Sequence, residues 1–140
     1  MIYLWDSVTT IHFIKKNPNV KQKLDTVGDK NVFLCHIVVG ELFFGAYNSS
    51  RVQENLKTLG HFLKDTNILP MLDAVADHYG QIKIALKKKG KPIKENDLWI
   101  AAYAGAYGAT VVSEDKHYSY IDTIKTEDWV KLNGTSEKYS

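Results

Sequence analysis

Residues 95–115, ENDLWIAAYAGAYGATVVSED, join a helix-forming run of small apolar residues directly to a short apolar strand. The spacing of the apolar side chains favours a helix that lies against a sheet, and Gly108 is suited to end it. The ATVV segment that follows is typical of a strand buried on both faces. Acidic residues open and close this run, and neither the helix nor the strand explains both of them.

Strand candidates alternate with helix candidates along the whole chain. Strands are predicted in IYLWD, NVFLC, NILPM, ATVV and KTEDWVKL, and helices in SVTTIHFIKK, VKQKLDTV, IVVGELFFGAY, RVQENLKTLGHFLKD, DAVADHYGQIKIALKKKG and the run that begins at residue 95. Asp73 is expected to cap the fifth helix. The alternation predicts an α/β fold with a parallel sheet covered by helices on both faces. At 140 residues the chain is expected to form one domain over residues 1–132 with a flexible tail at 133–140.

Composition excludes several classes of protein. No apolar run approaches the roughly 20 residues of a membrane-spanning helix, and the first residues lack the features of a signal peptide, so a cytoplasmic location without membrane association is expected. The single cysteine, Cys35, lies in an apolar segment, which argues against redox chemistry or a thiolate zinc site. The net charge of +2 is too small to indicate nucleic-acid binding by itself.

Four acidic residues are candidates for a functional site. Asp6 ends the first strand and Asp115 follows the ATVV strand, so both are expected at the carboxyl edge of the sheet, where ligands bind in such folds. Glu41 lies among hydrophobic neighbours, and Asp97 opens a helix. Each has an ordinary alternative, because Asp6 suits a helix cap, Asp97 suits a first helical turn, Asp115 suits a loop and Glu41 an exposed helix edge.

Taken together, the acids indicate a metal site. Carboxylates at one edge repel each other, so a cluster of them usually persists because a cation neutralises it. An oxygen-only ligand set favours Mg²⁺ or Mn²⁺ with positions left for phosphate oxygens. Such an ion can activate water for attack on a phosphodiester, so hydrolysis of a phosphate ester is the expected chemistry.

The segments YLWDS, VVGELFFGA, IKENDLWIAAYAGAYGATVVSEDKHY and KTEDW resemble those of PIN-domain ribonucleases, specifically the VapC-like toxins of bacterial toxin-antitoxin pairs. The resemblance implies an α/β/α sandwich, metal-dependent RNA cleavage, homodimerisation and inhibition by a small VapB-like antitoxin. It places the acidic site on Asp6, Glu41, Asp97 and Asp115. Ser7 and Ser113 match hydroxyl positions that support that site.

Two positions depart from the family pattern. Val8 stands where the family often has Asn or Asp, and Glu114 stands where a neutral or basic residue is common. These departures leave open a second hypothesis, a PIN-fold module that binds RNA or protein with weak or lost cleavage. Val8 also argues against a haloacid-dehalogenase-like phosphatase, which needs an acid at that position.

Other polar features have simpler interpretations. The five histidines show no HExxH-like metal spacing and are expected to serve in surface contacts or core packing. The LKKKGK run is expected to be a solvated helix end, with part of an RNA-guiding rim as the alternative.

Overall fold

The computed structural model describes residues 1–131 and contains a five-stranded sheet in which every neighbouring pair is parallel. The strands lie in the order β3-β2-β1-β4-β5. Their bounds are β1 Tyr3–Trp5, β2 Val32–Leu34, β3 Asn67–Ile68, β4 Thr110–Val112 and β5 Lys125–Glu127. The expected tail at 133–140 lies outside the described residues.

Helices connect the strands, as the alternating pattern predicted. They are α1 Ser7–Ile14, α2 Pro18–Val27, α3 His36–Tyr47, α4 Val52–Lys64, α5 Asp73–Lys89 and α6 Glu95–Tyr107, with short 3-10 helices at Asp29–Asn31 and Lys116–Tyr120. The sheet and its helices form the three-layer α/β/α sandwich expected from the sequence. Within residues 1–131, no helix is long and apolar enough to cross a membrane.

The core follows from strands that are buried on both faces. All residues of β1 and β4 are buried, and α6 contributes an unbroken buried run from Ile100 to Ala104. Small side chains allow α6 to approach the sheet closely, and Cys35 is fully buried among these apolar groups as expected. The core therefore fixes the ends of β1, β4 and α6 relative to one another.

The helix ends are mostly as predicted. Gly108 ends α6 with φ +67°, a left-handed conformation that favours glycine. The predicted cap at Asp73 is wrong, because Leu72 has the extended backbone of the capping position and Asp73 is the first helical residue. Asp73 still lies where a negative charge interacts favourably with the helix dipole.

The order of the strands indicates which edge of the sheet is suited to bind a ligand. The chain runs outward from β1 through β2 to β3, and then crosses back to β4 on the other side of β1. In open parallel sheets, ligands bind at such a switch point, outside the carboxyl ends of the strands. Here the switch point lies between β1 and β4, and the residues after these strands are Asp6 and Ser113.

Candidate active site

Asp6 and Ser113 are held side by side by the pairing of β1 with β4. Trp5 pairs with Val112, and the Asp6 amide donates to the Val112 carbonyl at 3.1 Å. The Ser113 hydroxyl then donates to Asp6 Oδ2 at 2.6 Å. Two positions 107 residues apart in sequence thus form one buried pair at the switch point.

Asp6 is the N-cap of α1 and also a hydrogen-bond acceptor of Ser113. Its Oδ1 accepts the Thr9 amide at 2.8 Å and caps α1, while Oδ2 faces Ser113. Burial raises the pKa of Asp6, and its hydrogen bonds with Ser113 and Thr9 oppose that rise. Capping therefore uses one carboxylate oxygen, and the other faces Ser113 at the carboxyl edge of the sheet.

Ser113 also organises the loop that carries Asp115. The Asp115 amide donates to Ser113 Oγ at 3.0 Å, so a single hydroxyl bridges Asp6 and the backbone of Asp115. Asp115 Oδ1 accepts the His117 amide at 2.8 Å and begins the 3-10 helix Lys116–Tyr120. The His117 ring lies beside the same oxygen, with Nδ1 at 3.0 Å. Ser7, the other hydroxyl position, begins α1 and is half-buried.

Asp97 lies in the first turn of α6 and is half-buried. Its pKa is raised first by burial and then by the negative charges of Asp115 and Glu41. The Tyr118 hydroxyl donates to Asp97 Oδ1 at 3.3 Å and lowers that pKa, as does the charge of Lys94. Asp97 is therefore within electrostatic reach of two of the other three candidate acids.

Glu41 reaches this group from α3, which packs against α6. It is half-buried, and Asn96 Nδ2 lies 3.4 Å from its Oε2. Asn96 directly precedes Asp97, so the start of α6 carries both a candidate acid and an amide that contacts another.

The four acids form an open arrangement. Asp6 is joined to Asp115 through Ser113, and Asp97 interacts electrostatically with Asp115 and Glu41. Across residues 1–131, no three Asp, Glu, His or Cys side chains lie close enough to hold an ion by themselves. The donor chemistry still fits Mg²⁺, since this ion is commonly held by one or two carboxylates and keeps several of its waters.

Of the two departures from the family pattern, Glu114 lies within electrostatic reach of Asp6. Glu114 Oε1 is 3.4 Å from His12 Nε2, and its Oε2 is 3.6 Å from Lys131 Nζ. Its charge also raises the pKa of Asp6. The Val8 side chain is 47% exposed on α1. Glu114 thus adds negative charge beside Asp6, and its two carboxylate oxygens contact the side chains of His12 and Lys131.

Tyr118 contacts one of the candidate acids, Asp97, and the sequence interpretation missed it. It is 1% exposed, and its pKa is raised far above the ordinary value by burial and by the charges of Asp97, Asp6 and Asp115. Its hydroxyl consequently remains a donor in the presence of these carboxylates. The SEDKHYSY segment contains no periodic signal that distinguishes Tyr118 from the tyrosine two residues later.

A parallel α/β/α sandwich that carries acidic side chains at its switch point is compatible with an enzyme that cleaves phosphodiester bonds. The PIN domain family matches residues 3–124. Ribonuclease VapC2 of Haemophilus influenzae is 33% identical over 130 residues, covering 91% of this chain and 98% of the relative. The tRNA(fMet)-specific endonuclease VapC of Salmonella typhimurium is 30% identical over 128 residues, covering 91% and 97%.

The solved structures agree with the sequence relatives. The crystal structure of DNA-bound VapBC from Salmonella typhimurium superimposes with a TM-score of 0.85 at 29% identity, over 92% of this chain and 98% of the matched chain. The chain therefore belongs to the PIN domain family and, within it, to the VapC ribonucleases. The hypothesis of a module without cleavage activity is not favoured by these relatives.

Proposed function

We propose that Asp6, Glu41, Asp97 and Asp115 form a site for Mg²⁺ or Mn²⁺ at which this ribonuclease hydrolyses RNA phosphodiester bonds. The observation that carries the proposal is the Ser113 hydroxyl, which holds Asp6 beside the backbone of Asp115 at the switch point of the sheet. The raised pKa of Asp97, caused by burial and then by the charges of Asp115 and Glu41, agrees with it. Like charges held together in a partly buried site repel one another, and a bound cation relieves this repulsion.

The residues of the chain have separate tasks in this proposal. When bound, the ion would supply an activated water and stabilise the charge that develops on the phosphate. Ser113 fixes one oxygen of Asp6 and the backbone of Asp115, so these two groups are positioned before an ion or RNA arrives. Asn96 contacts Glu41 from the start of α6. The arrangement reduces the reorganisation needed for binding.

A cleavage assay tests the reaction. The purified protein, freed of any antitoxin, should cut RNA in Mg²⁺ or Mn²⁺ and stop in EDTA, with recovery when the ion is restored. Cleavage that survives complete chelation would refute the metal mechanism. Because one relative is a tRNA(fMet)-specific endonuclease, initiator tRNA is the first substrate to test, with an elongator tRNA as the matched control.

We also propose that the protein is the toxin of a toxin-antitoxin pair, that a small VapB-like antitoxin inhibits it, and that it forms a homodimer. The support for the antitoxin is the similarity to VapBC complexes from Salmonella typhimurium and Rickettsia felis. Expression of this chain alone should arrest growth, and co-expression of the product of a small adjacent reading frame should relieve the arrest. Light scattering of the purified chain tests the dimer.

A further inference from the structure

Tyr118 links two of the candidate acids through its position in the fold. It is the third residue of the 3-10 helix Lys116–Tyr120, whose first turn is capped by Asp115. Its ring packs into the core with 1% of the side chain exposed, and its hydroxyl points to Asp97 Oδ1 at 3.3 Å. The side chain therefore spans from the loop that carries Asp115 to the helix that carries Asp97.

Packing alone does not account for the hydroxyl. A phenylalanine ring would fill the same apolar space, and burial of a polar group is unfavourable unless that group is hydrogen-bonded. The acceptor of the hydroxyl is a carboxylate oxygen, Oδ1 of Asp97, at 3.3 Å. Tyr118 thus combines a buried ring with a hydroxyl that donates a hydrogen bond to Asp97.

We propose that Tyr118 is a positioning residue, which fixes the orientation of the Asp97 carboxylate at the site that would hold the metal ion. This inference rests on the proposed metal site. Asp97 is half-buried, and without this hydrogen bond its carboxylate could turn about the Cβ–Cγ bond. Groups that orient the ligands of a metal typically change metal affinity 10–100-fold when removed.

Titration calorimetry with Mn²⁺ tests the inference on the full chain. Tyr118→Phe removes the hydroxyl and keeps the ring, and we expect about tenfold weaker Mn²⁺ binding than in the wild type. Tyr120→Phe is the matched control, because it removes a hydroxyl from the same 3-10 helix without a contact to Asp97, and its affinity should stay within twofold. RNA cleavage by Tyr118→Phe should recover as Mn²⁺ is raised, whereas Asp97→Asn should stay inactive.

The possible results are distinguishable. Wild-type affinity in Tyr118→Phe, or equal weakening in Tyr120→Phe, would overturn the positioning role while leaving the proposed metal site intact. Failure of the wild type to bind Mn²⁺ would instead refute the proposed metal site and the inference with it. Circular dichroism and melting in EDTA check the fold. A Tyr118→Phe protein that fails to fold would show that the hydroxyl supports the whole domain, and this result would overturn a role specific to Asp97.

Discussion

At the scale of single residues, Asp97 shows how the charge of one carboxylate can have opposite effects on stability. Its place in the first turn of α6 favours a negative charge by about 0.3–1 kcal/mol through the helix dipole. Burial and the charges of Asp115 and Glu41 disfavour that charge and raise the pKa. The direction of the pKa shift indicates that the unfavourable effects are larger.

Asp97→Asn should therefore raise the melting temperature of the metal-free protein at neutral pH and abolish RNA cleavage. Mg²⁺ should stabilise the wild type by preferential binding to the folded state and have little effect on the variant. Glu95→Gln is the matched control, because it removes an exposed charge from the same helical turn. An Asp97→Asn protein that melts lower in EDTA and keeps the full Mg²⁺ shift would show that Asp97 is only a helix-start acid.

The pKa shift of Asp97 also predicts a pH dependence. Because its folded-state pKa lies above the ordinary 3.8, the folded state binds more protons than the unfolded state between the two values. The contribution of Asp97 to stability is consequently favourable at lower pH and is lost as pH rises through the folded-state pKa. Urea unfolding in EDTA should show the stability gain of Asp97→Asn near zero below about pH 4 and increasing toward neutral pH. A gain that is constant across this range would contradict the prediction.

At the scale of elements, the sequence was sufficient to predict where the helices and strands lie. It was insufficient to predict the side-chain contacts between them. Hydrophobic periodicity is local, so it located β1, β4 and α6 without knowledge of the tertiary structure. The capping position before Asp73 was misassigned, because Leu72 carries no side-chain signal for a cap.

The candidate site was likewise predicted only in part from the sequence. Asp6 and Asp115 could be placed at one edge because both follow strands. The contact of Tyr118 with Asp97 and the pairing of His12 with Glu114 depend on how the helices pack on the sheet. Such contacts join distant parts of the chain, and no periodic pattern encodes them.

The packing of α5 on α6 provides a prediction for these elements. A Cβ atom added to Gly105 would lie 2.7 Å from His78 Cδ2, so the glycine allows the close approach of the two helices. Gly105→Ala should lower stability in the wild type and raise it by about 0.5–1 kcal/mol in a His78→Ala background, where only the helix propensity remains. Gly60→Ala on α4 is the control and should be stabilising in both backgrounds, because its Cβ meets nothing within 4 Å. Equal effects of Gly105→Ala in the two backgrounds would contradict the proposed contact.

At the scale of the whole molecule, the distribution of lysines matters more than the net charge of +2. The lysines at the end of α5 lie near the acidic edge, because Lys89 Nζ donates to the Tyr120 carbonyl and to Asp122, both at 2.9 Å, in the segment after β4. Lys91 Nζ also lies over the Tyr120 ring at 5.2 Å. Lys87 and Lys88 are exposed beside these anchored residues. The sheet edge thus combines a group of acids with an adjacent positive surface.

Replacing Lys87, Lys88 and Lys89 together with glutamine should weaken RNA binding and reduce its salt dependence, if this surface contacts phosphates. Each lost phosphate contact should lower the slope of log K against log salt by about 0.7 for single-stranded RNA. The matched control replaces Lys30, Lys64 and Lys125, three exposed lysines. Lys30 and Lys64 lie just before β2 and β3, and Lys125 begins β5, so all three are near the opposite edge of the sheet. The control carries the same change in net charge, so its slope should stay at the wild-type value. Filter binding in EDTA over a salt series measures both slopes without cleavage. An unchanged slope in the Lys87–Lys89 variant, or an equal fall in both variants, would show that the α5 lysines form only a solvated helix end.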